Sequence, residues 1–309
     1  MVTAQTMSLE GVAVQVGRYE ILEIIGTGAH GRVARAHDPL IGRMVALKLF
    51  PKELAHGEAR KRFIQEARVV GQISHPSIIT LHDMGIDEAT HTPYLVMEYV
   101  EGQPLDRILE KRGVPFQKAC AWCGEVASAL SVAHRKGVIH GDVKPANMLI
   151  TEAGHVKLMD FGMARLAHHD TAATPLAGTP AYWCPEQILG NAQDARSDIF
   201  SLGVVLYESV TGRRPFDADS LQGICSRVLS STPLPPSQVN PSVPTGFDEI
   251  MARCLAKDPN SRYAAAETLA QELFPLARHT AIASGRPSSP SEHAGGLRDR
   301  ASRLLLRSA

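Results

Sequence analysis

Several features that would announce a partner or a compartment are missing from this sequence. Lys plus Arg number 32 and Asp plus Glu number 32, so no net field argues for nucleic acid or an anionic membrane as the partner. No apolar run is long enough to span a bilayer. The longest, from Ile199 to Val210, is broken by Ser201, Glu208 and Ser209. Met1 to Gly17 has neither the basic start nor the continuous apolar core of a secretory signal. Cysteine is scarce: five, an odd number, spread along 309 residues. That argues against a disulfide framework and for free thiols in a reducing compartment. Cys120 and Cys123 form a C-x-x-C, but no second pair or histidine cluster follows, so helix packing explains the spacing better than a metal. No internal repeat is found. The chain is expected to be cytoplasmic, without a membrane segment or a nucleic-acid partner. What is present is an ordinary apolar fraction of 44%, on a chain long enough for one large domain or two modest ones.

The densest chemistry lies between Val138 and Ile150. Two apolar, strand-like ends, Val138-Ile139 and Met148-Leu149-Ile150, hold a polar loop containing Asp142, Lys144 and Asn147. Asp142 can take a proton, Lys144 can neutralise a phosphate, and Asn147 can ligate a metal through its carbonyl oxygen. Pro145 stiffens the turn. Such a loop reads as an active site before it reads as a connector.

Upstream, period-two patterns predict strands over Tyr19–Ile25, Arg32–His37 and Met44–Phe50. Between the first two lies Gly26-Thr27-Gly28-Ala29-His30-Gly31. A dinucleotide-binding turn would need a helix after these glycines. The run Arg32-Val33-Ala34-Arg35-Ala36 looks like a strand instead, so a hairpin laid over phosphates fits better. On the third strand, alternation puts Ala46 and Lys48 on one face, where a small residue can roof a flat base while the amine reaches its phosphates. A helix is predicted over Glu58–Ile73, with Phe63, Glu66, Ala67 and Val70 on one face. An acid on that face calls for an internal cation, and Lys48 is the expected partner of Glu66, with a solvated Glu66 at the edge of the stripe as the alternative. Strands are expected at Ile78–Leu81 and Tyr94–Val100, with Gly102 and Pro104 marking the change to helix. A long helix follows from Ala119 to a stop at Gly137. Val156 to Gly162 reads as a short strand ending in Asp160 on a glycine turn. Residues 163 to 180 are polar, with Thr171, Thr174 and Thr179. Helices are expected over Asp198–Thr211, Phe247–Leu255 and Ala264–Phe274, and the Ser-, Pro-, Gly- and Arg-rich tail from Thr280 reads as flexible.

In this order the motifs resemble the eukaryotic-like (Hanks-type) serine/threonine protein kinases of bacteria, from Arg18 to Leu276. The resemblance implies an α+β, bilobal protein-kinase-like fold. A small, mostly antiparallel N-lobe with one key helix would cover residues 18–100, and a mainly helical C-lobe 101–279. An arm over 1–17 and a tail over 280–309 would flank them. It implies ATP with Mg²⁺, or Mn²⁺ in its place, and protein substrates with Ser or Thr acceptors. Autophosphorylation and transient pairing of two copies through the N-lobe are further expectations. By the same resemblance Gly26, Thr27, Gly28 and Gly31 cover the phosphates, Lys48 contacts them and is held by Glu66, and Asp160 and Asn147 ligate metal. Asp142 accepts the hydroxyl proton and Lys144 stabilises the moving phosphate. Met97 backs the adenine pocket, Glu98, Tyr99 and Val100 form the hinge, Val33 and Ala46 roof the base, and Leu149 floors it. Glu186 is expected to pair with Arg262, and Asp198 to brace the catalytic loop.

Two residues depart from the family pattern. The usual His-Arg-Asp is His140-Gly141-Asp142, which removes the guanidinium that reads activation-loop phosphorylation. Cys184 stands where the Ala of Ala-Pro-Glu is usual. His-Gly-Asp also resembles the loop of aminoglycoside-type small-molecule phosphotransferases. Lys144-Pro145, the Gly178–Glu186 segment and Asp198–Gly203 point back to protein kinases. A pseudokinase scaffold is the other rival, and the joint presence of Lys48, Asp142, Asn147 and Asp160 argues against it.

Overall fold

In the computed structural model, which describes residues 15–28, 31–111, 113–161 and 180–278, the N-terminal strands form one six-stranded sheet. All its neighbours are antiparallel, in the order β1-β2-β3-β4-β6-β5. The strands are β1 (Gln15–Val16), β2 (Tyr19–Gly28), β3 (Gly31–Asp38), β4 (Arg43–Leu49), β5 (Leu81–Ile86) and β6 (Pro93–Glu98). Seven consecutive mostly apolar residues in β2 cannot all face one core. Register shifts between Ile21 and Glu23 and between Ile24 and Gly26 resolve this. They bury Tyr19, Ile21 and Ile24 and leave Leu22 and Ile25 exposed. Gly28 pairs with Gly31 across a tight hairpin, so the glycines join two strands, and the dinucleotide-turn reading is excluded.

Between β4 and β5 lies α1 (Gly57–Val70), whose Phe63 and Ala67 are buried against Phe50 and Leu95. Then come β7 (Gly102–Pro104), α2 (Leu105–Lys111), α3 (Phe116–Arg135), β8 (Met148–Thr151) and β9 (Val156–Leu158). A second sheet, β7-β8-β9, carries the loop of interest between α3 and β8. The C-terminal helices are α4 (Pro185–Ile188), α5 (Ala195–Thr211), α6 (Leu221–Ser230), α7 (Pro236–Val239), α8 (Phe247–Cys254) and α9 (Ala266–Arg278). Apolar nearly all round, α5 is buried along most of its length, as a central helix must be. It starts with a capping box between Asp194 and Ser197 and stops at Gly212, φ +71°. Cys120 and Cys123 are buried on α3 as core residues.

Three expectations need correction. Residues 15–17 do not belong to a loose arm: Gln15–Val16 form β1, Val16 is buried, and the Gly17 N–H donates to Asp87 Oδ1 at 3.0 Å. The strand expected at Ile78–Leu81 lies at Leu81–Ile86, because the backbone of 77–79 pairs instead with Leu158 of the other lobe. Val138–Ile139 is not a strand; Asp198 takes the backbone that follows it. Residues 1–14, 29–30, 162–179 and the tail expected from 280 lie outside the described residues.

The C-lobe is held by a buried ion pair that the sequence reading anticipated. Arg262 donates to both carboxylate oxygens of Glu186 at 2.8 Å and to the carbonyls of Ala256, Arg196 and Lys257. Burial pulls the Glu186 carboxyl up, but the Arg262 guanidinium outweighs it and holds the group below the usual carboxylate range. Removing one partner leaves a desolvated charge alone. Glu186→Ala is therefore expected to lower the unfolding free energy by about 3–5 kcal/mol, read by urea denaturation. Nearby, Lys257 Nζ has no hydrogen-bond partner among the described residues and lies 3.7 Å from the Phe216 ring centroid. Burial, then the Arg262 charge, push its ammonium down to about 8. Between that pH and about 10 the unfolded chain keeps a proton that the folded chain has shed, so this group makes stability rise with pH. Lys257→Met is expected to raise the denaturation midpoint at neutral pH, with the difference from wild type shrinking as pH approaches about 10.

Candidate active site

The loop between α3 and β8 is positioned by one buried carboxylate. Asp198, 1% exposed in the first turn of α5, accepts from the His140 N–H at 2.8 Å and the Gly141 N–H at 2.8 Å. His134 Nε2 lies 2.7 Å from the same carboxylate. His140 is itself buried. Its Nδ1 accepts from the Asp142 N–H at 3.2 Å, which leaves Nε2 to donate to the Met159 carbonyl at 2.8 Å. One neutral imidazole thus ties the loop to the segment leading into Asp160, with Phe161 packed 4.6 Å away, ring centroid to centroid.

On this frame Asp142 Oδ2 stands 2.7 Å from Lys144 Nζ. Asn147 Nδ2 donates to the Asp142 carbonyl at 2.8 Å and to its Oδ2 at 3.1 Å. With its amide nitrogen so engaged, Asn147 keeps Oδ1 as an acceptor with no partner among the described residues. Its backbone carbonyl takes the Met159 N–H at 2.9 Å, which joins the Asn147 and Asp160 segments. Asp160 has φ +64°, a left-handed conformation rare for a non-glycine residue. Its carboxylate reaches Lys48 Nζ at 2.7 Å. Lys48 is 3% exposed, and burying an ammonium so completely requires a counter-charge.

That counter-charge is not Glu66. The expected Lys48–Glu66 pair is not formed: Glu66 is half-buried on α1 and makes no ion pair among the described residues. The turn at Asp160 brings a carboxylate to the lysine and meets the demand that the sequence reading had assigned to α1.

The remaining residues lie on neighbouring strands of the two sheets. Ala46 pairs with Met97, and Val33 with Lys48 and Gly26, across neighbouring strands. Leu149 sits on β8 facing Lys157 and Pro104. Val33, Met97 and Leu149 are half-buried. Gly26 is half-buried, and Thr27 and Gly28 are exposed at the hairpin end. Gly31 has φ +118°, and a Cβ there would run into the Leu49 carbonyl, so only glycine closes this turn. Tyr99 and Val100 follow β6 as a half-buried connector. Gly162, Thr171, Thr174, Gly178 and Thr179 lie outside the described residues.

Two site-forming residues escaped the sequence reading. Lys157 Nζ contacts both oxygens of Glu98 at 2.8 and 2.9 Å and so ties the connector between the lobes to β9. His134 supports Asp198 from the end of α3. Neither carries a local signal, since a lysine in a strand and a histidine late in a helix are both common.

Oxygen donors of one amide and one carboxylate suit a hard divalent cation. Mg²⁺ takes few protein ligands and completes its shell with phosphates and water. No cluster of three or more His, Cys, Asp or Glu competes for a softer metal among the described residues.

The chain matches the protein kinase domain family over residues 19–274. It is 40% identical over 279 residues to the serine/threonine-protein kinase PksC of Streptomyces coelicolor, covering 86% of this chain and 50% of that protein. It is 39% identical over 264 residues to the serine/threonine-protein kinase PknB of Mycobacterium leprae, covering 83% of this chain and 42% of that one. The chain thus spans half or less of the length of these relatives. Among solved structures it is similar to the PknI kinase domain of Mycobacterium tuberculosis, with a TM-score of 0.67 at 26% identity over 85% of this chain and 98% of the other. Because the match runs from β2 into α9, through both lobes, the chain belongs to the protein kinase family, in its bacterial serine/threonine branch.

Proposed function

We propose that this chain transfers the γ-phosphoryl group of ATP to Ser or Thr hydroxyls of proteins, itself included. The observation that carries the reading is the Asp142–Lys144–Asn147 cluster, with a carboxylate 2.7 Å from an ammonium on a loop hung from Asp198. Phosphoryl transfer asks for position and charge rather than covalent chemistry. The acceptor oxygen attacks the γ-phosphorus, the bond from phosphorus to the β,γ-bridging oxygen breaks, and ADP leaves with its electron pair. Asp142 orients the hydroxyl and takes its proton. Lys144, already beside that carboxylate, offsets charge on the moving phosphoryl group. Lys48 holds the nonreacting phosphates, and Gly26, Thr27, Gly28 and Gly31 present backbone N–H groups above them. Mg²⁺, held by Asn147 and Asp160, would neutralise the triphosphate. Val33, Ala46, Met97 and Leu149 enclose the base, and backbone groups of Glu98 and Val100 pair with its edge.

The setting we infer is the cytoplasm, where ATP meets reduced thiols such as the buried, unpaired Cys120, Cys123, Cys184 and Cys254. Exposed Leu22 and Ile25 on β2, with Leu40 and Ile41 at the β3–β4 turn, offer an apolar N-lobe surface for transient pairing of two copies. Among the described residues no helix is long and apolar enough to cross a membrane.

Labelled ATP with a generic basic protein tests the reading. Label is expected on the protein and on the chain itself. Asp142→Asn is expected to lower the rate about 10²–10⁴-fold, the size of a lost general base. Lys48→Met is expected to lower it at least about a hundredfold. ATP binding without transfer in the wild type would favour a scaffold. Because Gly141 cannot bind a phosphate, Thr171→Ala and Thr174→Ala together are expected to keep activity within an order of magnitude of wild type; a larger loss sinks that part.

A further inference from the structure

Both departures from the family pattern, Gly141 and Cys184, touch one side chain. Gln187 on α4 donates from Nε2 to the Gly141 carbonyl at 3.3 Å, and the Cys184 thiol donates to its Oε1 at 3.9 Å. These contacts orient the amide, since a flipped one would set its oxygen against the Gly141 carbonyl. Cys184 is fully buried, and burial pushes its thiol up to about 11, so it keeps the proton that it donates.

Gly141 has φ +75° and no side chain to pack. Its backbone is held by hydrogen bonds on both sides. The N–H goes to Asp198 at 2.8 Å. The carbonyl belongs to the peptide whose N–H, that of Asp142, goes to His140 Nδ1 at 3.2 Å. This peptide is therefore gripped at its nitrogen by His140 and at its oxygen by Gln187. Its plane sets the direction in which the Asp142 side chain leaves the backbone. The segment carrying Gln187 is anchored in turn, because the adjacent Glu186 is locked to Arg262 and accepts from Ser197 at 3.0 Å.

We propose that Gln187 is a positioning residue for Asp142. It ties α4 to the catalytic loop through the Gly141 carbonyl, a coupling made by a neutral hydrogen bond instead of an arginine and a phosphate. As a statement about catalysis, this rests on the phosphoryl-transfer reading above. The tether itself does not.

The test compares wild type with Gln187→Met, which keeps the shape and removes the donor, and Gln187→Glu. Measured are kcat, KM for ATP, the thermal midpoint, and hydrogen exchange at the Asp142 amide. Gln187→Met is expected to lower kcat about five- to tenfold, the size of one neutral hydrogen bond. KM for ATP is expected to hold and the thermal midpoint to fall by no more than about 2–4 °C, while Asp142 amide exchange quickens by a similar factor. The kcat of Gln187→Glu, taken as a ratio to wild type at each pH, is expected to stay high while the carboxyl is protonated and can donate. It should fall as that carboxyl ionises and two acceptors face each other. Should Gln187→Met fail to fold, this ratio decides. A wild type that transfers nothing overturns the phosphoryl-transfer reading alone, and exchange at Asp142 still decides the tether. Unchanged kcat and exchange in Gln187→Met, a Glu-to-wild-type ratio flat with pH, or a kcat loss matched by a raised KM and a thermal midpoint lowered by more than about 10 °C would each overturn the proposal.

Discussion

The carboxylate of Asp198 is the contact on which the rest of the site depends. A carboxylate with 1% of its residue exposed is unstable unless its oxygens are fully hydrogen-bonded. Two of its donors here are consecutive backbone N–H groups of the loop between α3 and β8, those of His140 and Gly141. The acid sits in the first turn of the most buried helix, where the helix dipole favours a negative charge. The energy that keeps the charge in the interior and the geometry of the loop are therefore one fact. A shift of either would strand a buried ion.

Two further ties bring the lobes together around that loop. The backbone of 77–80 bonds to Leu158 on one side and to Glu98 on the other, and Lys157 clamps Glu98 from β9. Lys48 of the N-lobe reaches Asp160 at 2.7 Å, while the His140 imidazole holds Met159 just before it. Each tie joins residues far apart in the chain, and each ends within a few residues of Asp160. The turn at Asp160 keeps a left-handed backbone that costs energy for a residue with a side chain. It persists because both neighbours are pinned.

Local chemistry was readable wherever it depended on neighbours in the chain. The hairpin of β2 and β3 follows from strand patterns on both sides of the glycines. The buried helix α5 follows from its apolar run, whereas the Glu186–Arg262 pair, 76 residues apart, was foreseen only through the family resemblance. The strand misplaced at Ile78–Leu81 failed for the opposite reason: apolar residues there could serve a strand or an interlobe bridge, and only the other lobe decided. The partner of Lys48 was misjudged in the same way. A helix face said that Glu66 was available, and nothing local said that the chain at Asp160 would turn towards the lysine first.

The sequence by itself determined the family and the order of the elements, because these depend on residue type and spacing. The tertiary structure decided which charges pair and which carbonyls are held: Asp160 rather than Glu66 on Lys48, Lys157 on Glu98, Gln187 on Gly141. Such pairings depend on distances of about 3 Å between segments tens of residues apart. At that range the loser of a competition between two carboxylates looks the same in the sequence as the winner.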